Sequence, residues 1–159
     1  MINVLFVCLG NICRSPMAEA VFNGLLKEQH LQNQIQCDSA GTSDYHMGET
    51  PDKRTMEVVL QNKLALDHKG RQFSADDFEV YNYIIAMDED NKKNILRLES
   101  SATQKSYKVF LMREFEDKAQ NLNVPDPYWS GADGFIEVYE ILWRSCQNLL
   151  DYIKKEHQL

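Results

Sequence analysis

Met1-Ile2-Asn3-Val4-Leu5-Phe6-Val7-Cys8-Leu9-Gly10-Asn11-Ile12-Cys13-Arg14-Ser15-Pro16 opens the chain, and its reading decides the fold. Ile2 to Val7 is a short apolar run rich in β-branched and aromatic residues, which predicts a buried strand. Ser15-Pro16 then leads into an amphipathic stretch from Met17 to about His30. Proline suits the first turn of a helix, where its missing N–H costs nothing. A strand, a tight loop and a helix therefore stand in that order at the start.

The alternation continues along the chain. Ile35 to Ser39 reads as a second strand, and a loop with Gly41, Gly48 and Pro51 follows. Asp52 to Gln61 is helix-like, and Ser74-Ala75-Asp76-Asp77 can cap a short helix. Tyr83 to Met87 is a third strand, Glu89 to Leu98 a polar helix, and Tyr107 to Leu111 a fourth strand. Gln120 to Trp129 is a loop holding Pro125 and Pro127. Ala132 to Glu156 is the clearest helix, because Phe135, Val138, Tyr139, Leu142, Cys146, Leu149 and Ile153 share one face. Strands alternating with helices predict an α/β domain with a mainly parallel sheet covered by helices on both faces. No repeat or linker interrupts residues 1–159, so one domain is expected.

The 159 residues carry 17 Lys+Arg against 24 Asp+Glu, a formal net charge of −7. That length buries a core without disulfide staples. Net acidity argues against a nucleic-acid binder, which needs a basic field to displace counterions. No run of about 18 apolar residues suggests a membrane span, and no signal or lipidation pattern stands at either end. A cytoplasmic protein is expected, with Cys8, Cys13, Cys37 and Cys146 as free thiols. Cys37 and Cys146 read as buried packing, and the scattered cysteines and histidines make a poor zinc set. The acidic stretches Asp76-Asp77 and Asp88-Glu89-Asp90 read as solvated helix starts.

In an open parallel sheet, ligands bind at the carboxyl ends of the strands. Here the first strand ends at Cys8, and Arg14-Ser15 begins a helix. A loop entering a helix N-terminus turns successive backbone N–H groups toward one point, a cradle for a phosphate-sized anion. Gly10 and Asn11 can take the left-handed conformations such a nest needs. Arg14 can hold two phosphate oxygens with its planar fork. The same field favours the Cys8 thiolate, the nucleophilic form, and the Ser15 hydroxyl can donate to that sulfur. A Cys followed six residues on by Arg and then Ser or Thr is expected only about 0.01 times at this composition. An ATP-binding loop is excluded because the Gly-Lys-Ser/Thr ending is missing. A cysteine that takes a phosphoryl group from a phenol also needs an acid to protonate the leaving oxygen. Asp126, fixed between Pro125 and Pro127 and followed by Tyr128-Trp129, is the best candidate, although Asp-Pro is also a common turn signal.

Cys8-Leu9-Gly10-Asn11-Ile12-Cys13-Arg14-Ser15-Pro16, with Asp126-Pro127-Tyr128 far downstream, resembles the low-molecular-weight protein-tyrosine phosphatases over nearly the whole chain. Asp38-Ser39-Ala40-Gly41-Thr42, Pro51-Asp52 and Met87-Asp88 fall in family-like places. The resemblance implies a four-stranded parallel sheet flanked by helices, with no metal or organic cofactor. It implies hydrolysis of phosphotyrosine in proteins or peptides, and of small aryl phosphates, through a phosphocysteine on Cys8. Arg14 is then the phosphate clamp and Asp126 the general acid and base, with phosphate and other oxyanions as inhibitors. Leu9, Gly10, Asn11, Ile12, Cys13 and Ser15 become the phosphate-binding loop, with Ser39 and His68 supporting Asn11. Tyr45, Tyr128 and Trp129 become the walls of an aromatic slot, deep enough to leave phosphoserine short of the nucleophile. Cys13 becomes a redox partner whose disulfide with Cys8 guards the thiolate.

Three other readings compete. An arsenate reductase of this fold needs two further cysteines in a mobile segment near the site, and residues 68–99 contain none. A non-catalytic phosphotyrosine-binding module would tolerate loss of Cys8 or Asp126, and both are present. A scaffold acting through its acidic face is the third.

Overall fold

The computed structural model describes residues 1–103 and 106–159. Four strands form one parallel sheet: β1 (Ile2–Cys8), β2 (Ile35–Gly41), β3 (Tyr83–Ala86) and β4 (Lys108–Leu111). Their spatial order is β2-β1-β3-β4. The helices are α1 (Arg14–Glu28), α2 (Lys53–Gln61), α3 (Asp77–Val80), α4 (Glu89–Arg97) and α5 (Ala132–His157).

β1 lies in the middle, with Val4 opposite both Cys37 of β2 and Tyr83 of β3. Its side chains alternate between two cores. Val4, Phe6 and Cys8 face a core with α1 and α5, whereas Leu5 and Val7 face one with Phe73, Phe78, Ile84 and Ile95. Burial on both faces is why Ile2 to Val7 shows no apolar–polar alternation. Burying each of Val4, Leu5, Phe6 and Val7 contributes about 1.5–3 kcal/mol.

The register has one functional consequence. From β1 the chain winds through α1 to β2 on one side and returns to β3 on the other. The strand order therefore reverses at the carboxyl ends of β1 and β3, where open α/β sheets hold their ligands. The Cys8 loop and Asp88 both emerge at that crevice.

The expected elements are present, with bounds shifted by one to three residues. β2 runs on to Gly41 because Gly41 pairs with Cys8 and bridges Gln72. The larger difference is α1, expected to be amphipathic. Every residue from Arg14 to Phe22 is buried, because the sheet and α5 clasp it from opposite sides. Its three buried polar residues, Arg14, Ser15 and Glu19, all belong to the site described below. Cys146 is fully buried as expected, whereas Cys37 is only half-buried, its Sγ 3.7 Å from the Glu19 carbonyl. Among the described residues no helix is long and apolar enough to cross a membrane.

Candidate active site

Asn11 shapes the loop between β1 and α1. It adopts φ +57°, the left-handed region that asparagine tolerates better than most residues. This turn aims its N–H at Cys8 Sγ, 3.2 Å away. The expectation of a left-handed Gly10 fails, since Gly48 is the only glycine with positive φ among the described residues. Gly10 is needed for space instead: a Cβ there would meet the His46 ring at 3.0 Å. Gly41 is needed for the same reason, as its Cβ would lie 2.8 Å from the Leu9 carbonyl oxygen.

The Asn11 side chain is the hub beneath the loop. Its Oδ1 accepts from His68 Nε2 (2.7 Å) and from the Arg71 N–H (3.1 Å). Its Nδ2 donates to Ser15 Oγ (2.8 Å) and Ser39 Oγ (3.0 Å). Because Ser15 Oγ accepts from Asn11, its single proton is free to point at Cys8 Sγ, 3.1 Å away. Ser39 in turn donates to Glu19 Oε2 at 2.6 Å, and His68 Nδ1 lies 3.1 Å from that same oxygen. Glu19, Asp38 and His68 place three possible metal-ligand atoms within 4.8 Å. Glu19 Oε2 already accepts from Ser39 and Asp38 Oδ2 from Arg71, while His68 Nε2 is bonded to Asn11 and its Nδ1 faces Glu19.

Cys8 is 3% exposed, yet it lies at the floor of a cleft of about 270 Å³ that Leu9, Gly10, Ile12, Cys13 and Arg14 also line. The N–H groups of Gly10, Ile12, Cys13 and Arg14 meet no acceptor among the described residues, which leaves them as donors for an anion. Arg14 is buried. Its Nη1 donates to Asp88 Oδ2 (2.7 Å) and to the Val124 carbonyl (3.0 Å). Burial alone would lower the guanidinium pKa. The Cys8 sulfur, Asp88 and Asp126 outweigh it and raise the pKa above the ordinary arginine value. The cation is therefore permanent. Burial, reinforced by Asp52, pushes the neighbouring Cys13 thiol up to about 12.

Asp126 stands at the cleft mouth, its Oδ2 3.6 Å from Arg14 Nη2 and its side chain 45% exposed. Its Oδ1 accepts from the Tyr128 N–H (3.1 Å), which fixes the carboxyl in a turn. Arg54 braces the same loop by donating to the carbonyls of Tyr128 (3.0 Å) and Ser130 (3.1 Å). Asp52, which caps α2, ties this brace to the phosphate loop: its carboxylate pairs with Arg54 and its N–H donates to the Ile12 carbonyl at 2.9 Å. The Arg54 hydrogen bond holds the Asp52 carboxyl below its usual range, against some desolvation.

Tyr45, Tyr128 and Trp129 all line the cleft. They form an open rim rather than a closed slot: Tyr45 is 72% and Trp129 92% exposed, and only Tyr128 is half-buried. Trp129 meets Tyr128 edge-on at 4.8 Å, and no other element covers it.

Several site residues escaped the sequence reading. Asp88 and Asp77 were expected in solvated helix starts. Asp88 instead caps α4 through the Asn91 N–H and grips Arg14, while Asp77 is buried against Arg71. The signal for Asp88 was its place directly after β3, at the crevice. Glu19 is legible as a charge four residues after Ser15 in the otherwise apolar stretch of residues 16–22 in α1. His46 lines the cleft with Nδ1 paired to Glu49, and no local pattern marked it.

A family model described as low molecular weight phosphotyrosine protein phosphatase matches residues 3–159. The low molecular weight phosphotyrosine protein phosphatase of Schizosaccharomyces pombe is 43% identical over 153 residues, 96% of this chain and 97% of that one. The crystal structure of YfkJ from Bacillus subtilis superposes with a TM-score of 0.91 at 37% identity, over 98% of this chain and 96% of that one. The crystal structure of drosophila arginine phosphatase superposes with a TM-score of 0.90 at 35% identity, over 95% and 97%.

Proposed function

The chain belongs to the low molecular weight phosphotyrosine protein phosphatase family, and on that premise we propose that it hydrolyses phosphotyrosine in proteins or peptides through a covalent phosphocysteine on Cys8. The observation that carries this reading is Cys8 Sγ held between the Asn11 N–H and the Ser15 hydroxyl, in a cleft it shares with the Arg14 guanidinium.

In the first step the Cys8 thiolate attacks phosphorus. The bond from phosphorus to the phenolic oxygen breaks, and Asp126 gives its proton to the departing phenolate. Arg14 and the loop N–H groups hold the equatorial oxygens, whose charge spreads in the transition state. In the second step the Asp126 carboxylate takes a proton from water. That water attacks phosphorus, the P–S bond breaks, and phosphate leaves. Ser15 donates to the sulfur as it regains its charge. Asn11, Ser39 and His68 support the loop. Phosphate and other oxyanions compete for the same donors.

Cys13 is proposed as the resolving thiol once Cys8 is oxidised to a sulfenic acid. One cause of its raised pKa, the Cys8 charge, disappears on that oxidation. The cytoplasm suits four unpaired cysteines.

A second reading is phosphoarginine hydrolysis, favoured by the likeness to the arginine phosphatase. The walls argue for the aryl ester: Leu9, Ile12, Tyr45 and Tyr128 offer apolar faces to a phenyl ring, whereas a guanidine seeks acceptors. Turnover of phosphotyrosine, phosphoserine and phosphoarginine peptides by wild type and Cys8→Ser tests both readings. Phosphotyrosine turnover that vanishes in Cys8→Ser is expected, and turnover surviving that change would overturn the mechanism.

A further inference from the structure

A second groove, of about 450 Å³, runs beside the catalytic cleft. The two share Leu9 and Tyr45 as a common wall. Beyond that wall the groove is built from Thr42 and Gln72 at the end of β2, from Asn94 and Arg97 on α4, and from Asp44, the one carboxylate in its lining, which lies more than 4.0 Å from the Arg97 guanidinium. Arg97 is distinctive. Arg14, Arg54, Arg71, Arg113 and Arg144 each lie within 4.0 Å of a carboxylate oxygen, so that Arg97 is the one arginine with no carboxylate partner among the described residues. Its Nη1 donates to Asn94 Oδ1 at 2.8 Å, and its remaining N–H groups are uncommitted on an exposed side chain. In a chain of net charge −7, an unneutralised guanidinium lining a groove is a place for an anion.

We propose that this groove receives the polypeptide flanking the phosphotyrosine of a protein substrate, and that Arg97 selects an aspartate or glutamate there. The inference rests on the phosphatase reading of the neighbouring cleft. Continuity argues for this occupant. A chain whose phosphotyrosine reaches Cys8 must leave the cleft over one of its rims, and Leu9 and Tyr45 form the rim toward the groove. Charge argues for the acidic residue. At the other end of α4 Asp88, Glu89, Asp90 and Asp126 gather beside Arg14, a setting that disfavours an acidic segment. Among the described residues the buried Thr42 Oγ1 has no hydrogen-bond partner, so rotating it toward a bound backbone forfeits no hydrogen bond.

The test is a set of phosphotyrosine peptides carrying one Glu or one Lys, scanned through the flanking positions on both sides. Their kcat/KM values are read for wild type, Arg97→Ala and Arg97→Glu. Each variant's Glu/Lys ratio is internally normalised, so losses of folded protein cancel. At one or more positions wild type is expected to favour Glu about two- to fivefold, the range of an exposed ion pair. Raising the salt should reduce that preference, Arg97→Ala should abolish it, and Arg97→Glu should reverse it. Ratios that ignore residue 97 at every position, while wild type still hydrolyses a small aryl phosphate, would overturn the subsite alone. Failure of wild type on the small aryl phosphate would overturn the phosphatase reading and the subsite with it.

Discussion

Replacing Asn11 by alanine removes the hub of the loop. Four side-chain hydrogen bonds disappear, to Ser15, Ser39, His68 and the Arg71 N–H, the first three buried and the last part-buried. A net hydrogen bond is worth about 1 kcal/mol, and a buried donor left without an acceptor costs at least as much. Alanine at φ +57° adds about 1 kcal/mol of strain. Asn11→Ala should therefore lose about 5 kcal/mol of stability, a fall in Tm of roughly 10–20 °C for a chain of this size. The Asn11 N–H to Cys8 Sγ depends on the same turn, so kcat should fall about a hundredfold or more, as when a preorganised donor is lost. Asn11→Gly separates the causes: it loses the same bonds without the strain, and should be about 1 kcal/mol more stable than the alanine variant. Urea unfolding together with turnover of a small aryl phosphate reads both effects. Asn11→Ala within about 1 kcal/mol of wild type and within about threefold in kcat would refute the hub.

Three other substitutions or labels probe the remaining parts. Asp126→Ala should slow aryl phosphates with poor leaving groups far more than activated ones; equal losses across a leaving-group series would remove Asp126 from the acid role. At neutral pH iodoacetamide should label Cys8 and spare Cys13, whose burial pushes its thiol up to about 12; mass spectrometry showing equal labelling would contradict that burial. The same raised value gives a sign for stability. The folded state holds the Cys13 proton more tightly than the unfolded state, so this contribution is full below pH 9.0 and is lost as pH rises toward about 12. Gly41→Ala drives a Cβ to 2.8 Å from the Leu9 carbonyl, and should cost about 1–3 kcal/mol and at least tenfold in kcat; unchanged turnover would show that the loop yields freely.

The fold was legible because its local signals agree with its topology: β1 is too apolar to be half-exposed, Pro16 falls in the first turn of α1, and α5 repeats its apolar positions from Phe135 to Ile153, about five turns. The loop was legible because Cys8, Asn11, Arg14 and Ser15 are contiguous. What stayed hidden is what the sheet brings together from afar. Asp88 reaches Arg14 across 74 residues, and only the β2-β1-β3-β4 order makes that pair neighbours; the reach of His68 to Asn11 across 57 residues was expected from the family resemblance alone. The solvated reading of Asp77 failed for a local reason, since its partner Arg71, six residues away, lies in a loop with no periodicity. The aromatic rim was legible in composition but not in shape, because whether Trp129 is buried depends on tertiary packing, and in the fold Pro127 and Tyr128 turn inward while Trp129 is left 92% exposed.

The central claim is a phosphorus–sulfur bond at Cys8. Asp126→Ala protein mixed with an aryl phosphate, quenched within the first turnovers, digested and analysed by mass spectrometry tests it most directly. The phosphoryl group should be carried by the peptide containing Cys8, and no such species should form in Cys8→Ser. A phosphoryl group on any other residue, or turnover through no covalent species at all, would contradict the account.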